Sequence, residues 1–146
     1  MQIRLAEKTD LPALLSLYTQ FKGTPLPAVN NRIQAIWEQI LSDKNHHVIV
    51  GIESGTIVSS CVLLIVPNLT HSQRPYALIE NVITDEAYRK KGYASAVLEY
   101  AKTIAKDAHC YKVMLMTGSK LDSTFAFYEH AGFNRTDKTG FVLWFD

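Results

Sequence analysis

The chain has 146 residues, 47% hydrophobic and 20% charged, with a formal net charge of +1. That suits one domain with a real core, and it excludes a general nucleic-acid binder, which carries a basic excess over its whole length. Two cysteines, Cys61 and Cys110, without a CxxC pair read as free buried thiols, and five histidines show no metal-ligand spacing. No apolar run is long enough to cross a bilayer and the start is polar, so cytoplasmic residence is the default expectation.

Residues 3–6 alternate and read as a first strand. Thr9 or Asp10 can cap the following helix, with Pro12 tolerated in its first turn. Leu11, Leu14, Leu15 and Tyr18 form one apolar face, and Gly23, Pro25 and Pro27 then break the helix. A second helix covers residues 31–42, where Ile33, Ile36, Trp37, Ile40 and Leu41 repeat the helical stripe and make Trp37 a core residue. A strand over 47–53, a tight turn at Ser54-Gly55 and a β-branched strand over 56–66 make a hairpin. Residues 68–75 are a polar loop, and a central strand runs over 76–84.

A helix over 92–107 follows, with Val97, Leu98, Ala101, Ile104 and Ala105 on one side. Residues 112–117 are an apolar strand, short enough to be buried on both faces. Ser123 can cap a short helix that ends at Ala131, closed by Gly132. Residues 133–136 and 141–145 read as a closing hairpin. The element order gives an α/β chain: a mixed sheet of six to seven strands, mostly antiparallel, with four helices in a single domain over 1–146. The crossover from strand 76–84 through helix 92–107 to strand 112–117 requires one parallel pair.

The chemistry concentrates between Ala77 and Val97. Arg89, Lys90 and Lys91 are basic, Gly92 lets a ligand approach the backbone, and Ala94 keeps the first helical turn narrow. The first amides of a helix point outward and its dipole favours anions, so this turn offers a phosphate seat. It is neither a Walker-type loop nor the dinucleotide GxGxxG. Glu80 and Asn81 interrupt the apolar central strand, where polar groups are costly unless something uses them. Thr124, Phe127, Tyr128 and Ala131 share a helix face that brings Tyr128 toward the end of the central strand.

Together these pieces resemble the GCN5-related N-acetyltransferase (GNAT) superfamily. The signature Arg/Gln-x-x-Gly-x-Gly/Ala is here Arg89-Lys90-Lys91-Gly92-Tyr93-Ala94, preceded by the strand end Val82-Ile83-Thr84. A tyrosine four residues before Gly-Phe is here Tyr128, before Gly132-Phe133. The resemblance covers nearly the whole chain and implies acetyl-coenzyme A as the acyl donor. It implies that amides of Arg89, Lys90, Lys91, Gly92, Tyr93, Ala94 and Ser95 hold the pyrophosphate. The backbone of Val82, Ile83 and Thr84 would pair with the pantetheine arm, and a bulge near Asn81-Val82 would splay the parallel pair. The Val82 amide would polarise the acetyl carbonyl, and Tyr128 would protonate the departing thiolate. Many members carry an asparagine where Leu121 stands; Ser119, Asp122 or Ser123 can take over its contacts.

The acceptor amine must lose a proton. Glu80 is the candidate base or ammonium partner, on the expectation that burial near the bulge makes it a stronger proton acceptor. Its structural alternative is a partner for Arg4, Arg74 or Lys112. Asn81 stabilises the bulge or orients the acceptor. Loops 22–30 and 68–75, with Thr24, Asn30, His71, Gln73 and Arg74, are expected to frame a small polar acceptor, Arg74 pairing with an acidic group on it. The Glu80-Asn81 position also resembles glucosamine-phosphate acetyltransferases of the superfamily, but the acceptor loops are too variable to carry that substrate over. Two rivals remain: acetylation of a protein amine, and a non-catalytic acyl-coenzyme A sensor, which needs neither Glu80 nor Tyr128. The closing hairpin is apolar on both faces, which together with the resemblance points to a homodimer.

Overall fold

The computed structural model describes residues 1–21, 23 and 25–146. Five strands make one sheet in sequential order: β1 (Gln2–Leu5), β2 (His46–Glu53), β3 (Thr56–Val66), β4 (Tyr76–Thr84) and β5 (Val113–Leu115). All neighbours are antiparallel except β4 and β5. The β2–β3 hairpin closes at Ser54 and Gly55, both at positive φ (48° and 80°), the twist that a two-residue hairpin turn demands.

Four helices cover the sheet: α1 (Leu11–Tyr18), α2 (Asn31–Ser42), α3 (Tyr93–Asp107) and α4 (Asp122–His130). Leu11, Leu14, Leu17 and Trp37 from α1 and α2 pack on Val48, Val50, Val62 and Ile83 of one sheet face. Trp37 is core, as its stripe predicts, and its Nε1 donates to the Lys8 carbonyl (3.1 Å). On the other face, Val97, Leu98, Ala101 and Ala105 of α3 pack on Ile49, Cys61, Leu63 and Ile79. Burying a Val or Leu side chain fully contributes about 1.5–3 kcal/mol, so α3 is anchored mainly by this stripe. Gly51 lets α3 come this close, because a Cβ there would lie 3.4 Å from Val97 Cγ1 and 3.3 Å from Ser59 Cβ.

Two boundaries differ from the sequence reading. Asp10 does not cap α1; its carboxylate takes the Arg4 guanidinium (2.6 and 3.0 Å) and the Glu7 amide (2.7 Å). Arg4 therefore pairs with Asp10, not with Glu80, and holds that carboxyl below its ordinary range. Helix α4 starts at Asp122, with Leu121 in the cap position and Ser123 inside the first turn.

The larger correction is the closing hairpin: the sheet has five strands, not six to seven, and residues 133–146 form none. The Asn134 side chain accepts from the amides of Thr136 (2.8 Å) and Asp137 (3.2 Å). This local turn takes up amides that a strand ladder needs. Beyond it Phe141, Trp144 and Phe145 are 90%, 81% and 93% exposed, so the chain's own body covers neither face of this segment.

Candidate functional site

Strand β4 changes character at Glu80. Ala77, Leu78 and Ile79 pair with Val113, Met114 and Leu115 of β5; there the parallel pairing stops while β4 runs on to Thr84. On its other edge Val62 pairs with Glu80 and Ser60 with Ile83. Cys61 alone thus faces Asn81 and Val82, and Asn81 sits at φ 53°. This is the bulge expected at Asn81-Val82, with the two parallel strands parted beside it.

The bulge sorts the predicted residues by face. Glu80 is cross-strand from Val62 and so belongs to the α1/α2 face, while Val82 packs with the cluster beneath α3. Glu80 is exposed, contrary to the expected burial, and its carboxylate meets no described residue through a hydrogen bond or ion pair. Asn81 is exposed beside it. The Ile83 side chain is buried under α1, and its carbonyl accepts from Ser59 Oγ (3.0 Å), so only its remaining backbone can meet a ligand. Thr84 Oγ1 shares a hydrogen bond with Ser59 Oγ (2.8 Å).

Between β4 and α3 the chain is tied down from both sides. Gln20 reaches from beyond α1 to Asp85 Oδ2 (2.8 Å) and accepts from the Glu86 amide (3.0 Å). Asp85 accepts from the Ala87 amide (2.9 Å). The Tyr93 hydroxyl donates to Glu53 at the end of β2, which pushes the phenol up to about 12. The sequence reading missed Gln20 and Glu53, because they act across 65 and 40 residues of chain.

The basic side chains of Arg89 and Lys91 are exposed and bond to nearby carbonyls of the turn. Arg89 Nε donates to the Thr84 carbonyl (3.3 Å) and NH1 lies 3.7 Å from Glu86. Lys91 Nζ donates to the Ala87 carbonyl (2.9 Å) and sits 5.0 Å from the Tyr88 ring centre. Lys90 and Gly92 both hold positive φ, 60° and 85°. Gly92 occupies the N-cap of α3 without a side chain over the first amides, Tyr93, Ala94 and Ser95. A Cβ on Gly92 would meet no atom within 4 Å, so packing does not demand glycine there. Open space, a left-handed turn and uncapped amides at a 15-residue helix start fit a pyrophosphate.

Helix α4 completes the corner. Lys102 on α3 donates to the Ala131 carbonyl (2.8 Å) and holds the end of α4 in place. Tyr128 packs against Phe127 and Phe133 at ring-centre distances of 5.0 and 6.3 Å, in the cluster that also takes Val82 and Leu115. Burial raises its phenol above the ordinary value, and its hydroxyl bonds to no described residue. The phenol therefore keeps its proton across the physiological range. Ser119 Oγ is spent on Thr124 (2.9 Å) and the Leu121 amide (3.3 Å); Asp122 is exposed. Cys61 lies opposite the bulge, and burial pushes its thiol up to about 12, so it is no nucleophile.

Among the described residues, the polar side chains of the expected acceptor loops are engaged away from the bulge. Arg74 donates to the carbonyls of His109 (3.0 Å) and Cys110 (3.1 Å), and His71 stacks on Tyr111 at 3.9 Å. Both stand before the start of β4 at Tyr76, and the strand from Tyr76 to Glu80 alone spans roughly 13 Å. Gln73 lines a separate cavity of about 500 Å³ there, with His47 and Asn68. Asn30 caps α2 by accepting from the Ile33 amide (3.0 Å). Lys22 and Thr24 lie outside the described residues.

Comparison with known proteins agrees with this geometry. A family model described as Acetyltransferase (GNAT) family matches residues 11–133. A solved structure from Agrobacterium tumefaciens str. C58, described as an acetyltransferase, superposes with a TM-score of 0.92 at 41% identity, over 99% of each chain. Glucosamine-6-phosphate N-acetyltransferase from Arabidopsis thaliana superposes with a TM-score of 0.86 at 25% identity, over 99% of this chain and 98% of the other. Glucosamine 6-phosphate N-acetyltransferase from Trypanosoma brucei brucei is 34% identical over 85 residues. That match spans 58% of this chain and only 56% of the relative's length. The chain belongs to the GNAT acetyltransferase family.

Proposed function

We propose that this GNAT family member transfers an acetyl group from acetyl-coenzyme A to a primary amine of a small molecule by direct attack. The observation that supports it is the parting of β4 from β5 beyond Ile79, beside the open, uncapped start of α3. The named activities of the two glucosamine-6-phosphate acetyltransferase relatives support amine acetylation.

Acetyl-coenzyme A supplies an acyl group activated as a thioester. Amides from Arg89 to Gly92 and of Tyr93, Ala94 and Ser95 hold its pyrophosphate, and backbone groups of Val82, Ile83 and Thr84 align its arm as an added strand. The Val82 amide donates to the carbonyl oxygen where negative charge develops. Asp122 and Ser119 stand on the side where many relatives place an asparagine. An alkylammonium, with a pKa near ~10, is drawn to the exposed Glu80 carboxylate and gives up its proton there through water. The free nitrogen would form the new C–N bond as the C–S bond breaks; Tyr128 would deliver a proton to the departing sulfur, and the second proton shed by the acylated nitrogen would return through water to Tyr128. No covalent enzyme intermediate is needed, consistent with the protonated thiol of Cys61.

The protein works as a homodimer, a reading supported by the exposed apolar run Phe141, Leu143, Trp144 and Phe145. A monomer mass in light scattering at micromolar concentration overturns it.

Calorimetry with acetyl-coenzyme A and thiol release with a panel of amines test the main reading. Heat of binding together with amine-dependent thiol release supports it. Absence of heat overturns it, and binding without turnover of any amine leaves only a sensor.

A further inference from the structure

We infer that the acceptor amine carries an apolar body, aryl or branched alkyl, seated between α1 and α2 on the Glu80 side of the sheet; this rests on the acetyltransferase reading above. A cavity of about 300 Å³ lies there, and Asn81 of the bulge forms part of its wall. Its floor is Val48 and Val62, and its sides include Leu15 of α1 and Ile33 and Ile36 of α2. Among the described residues of the lining, Tyr18, His46 and Asn81 bring polar groups, the Trp37 N–H being taken up by the Lys8 carbonyl, and none is Lys or Arg. A phosphorylated acceptor calls for a Lys or Arg at its phosphate, and none of the described lining residues is one.

The polar end of the acceptor is located by charge. Val62, in the cavity floor, is the cross-strand partner of Glu80, so the Glu80 carboxylate stands on the same face next to Asn81. That carboxylate is exposed and has no cationic partner among the described residues. An ammonium is its natural complement, and the bulge beside it is where β4 and β5 part. One molecule can therefore place its nitrogen at Glu80 and Asn81 and its apolar end between the helices. The volume sets the size: a dry cavity of about 150 Å³ holds a benzene ring, so twice that admits an aryl ring with a short alkyl tether. Matching apolar groups to such a pocket discriminates by about 10- to 200-fold per methylene-sized change.

The test compares phenethylamine and isoamylamine with ethanolamine and glucosamine 6-phosphate as acceptors, reading thiol release from acetyl-coenzyme A. The apolar amines are expected to show kcat/KM at least tenfold above the polar pair. Ile36→Arg, at a 46% exposed position that the fold tolerates, is expected to raise the phenethylamine KM about tenfold and leave acetyl-coenzyme A affinity unchanged. Ile33→Ala serves as a second variant, with the same direction and a smaller effect. Turnover of ethanolamine or glucosamine 6-phosphate in preference to the apolar amines overturns the inference and leaves the acetyltransferase reading standing. So does an apolar-amine KM indifferent to both variants. Failure to bind acetyl-coenzyme A overturns the acetyltransferase reading itself, and direct calorimetry of phenethylamine then decides the pocket alone: no heat overturns it.

Discussion

The two ends of β4 are built from one strand and do opposite things. At its start, Ala77 to Ile79 are paired on both edges, the Ala77 amide reaches the Lys112 carbonyl (3.0 Å), and Arg74 fastens the preceding loop to the end of α3. At its finish, β5 has ended, β3 is out of step by one residue, and Glu80 and Asn81 stand open to solvent. Backbone groups satisfied by neighbours hold a sheet together; groups left by a bulge and a missing neighbour are available to a ligand. The candidate site is thus an interruption of the sheet, kept in place by the uninterrupted half.

Substitutions at the two ends should part company in the same way. The largest effect is expected for Tyr128→Phe, which removes the proton donor: kcat falls by about 10²- to 10⁴-fold with acetyl-coenzyme A affinity unchanged in calorimetry. Because burial raises this phenol, the active protonated form persists to higher pH than for an ordinary tyrosine. The alkaline loss of kcat should therefore begin above the usual value near ~10 and vanish from the pH profile of Tyr128→Phe.

Next comes Asn81→Val, which puts a β-branched residue at φ 53° and drives the bulge toward a straight ladder. A shift of about 1 Å in the bulge costs as much as ~100-fold in kcat/KM. Retention of the full rate would show that the bulge is not part of the machinery. Gly92→Val meets open space, so the fold should lose only about 1–2 kcal/mol from the left-handed backbone, read by denaturant midpoint. Acetyl-coenzyme A affinity should drop by roughly tenfold or more, as the side chain covers the helix start. The smallest effect belongs to the closed end: Arg74→Ala loses two hydrogen bonds to carbonyls and about 1 kcal/mol of stability, with kcat untouched. A large rate loss there would break the contrast between the ends.

Much of this was legible in the residues themselves. The stripe of Leu11, Leu14 and Trp37, the turn at Ser54-Gly55, the crossover through α3 and the basic turn at 89–94 all follow from local periodicity and turn chemistry. Asn81 and Glu80 stood out because polar residues interrupt an apolar strand. The errors share a cause. The burial of Glu80, the position of Arg74 and the pairing of residues 141–145 depend on what lies across space, which no local pattern encodes. Gln20 on Asp85 and Glu53 on Tyr93 were invisible for the same reason.

Sequence by itself determined most of the elements, the parallel crossover and the glycine-led start of α3, because helix starts, glycine at positive φ and apolar period are properties of a few neighbouring residues. Tertiary structure alone decided that β5 stops at Leu115 while β4 continues, that Glu80 stands exposed on the sheet face that carries α1 and α2, and that the last residues leave the sheet. Those outcomes are set by competition between distant segments for the same hydrogen bonds and the same apolar surface, and such a competition has no signature in any single stretch of chain.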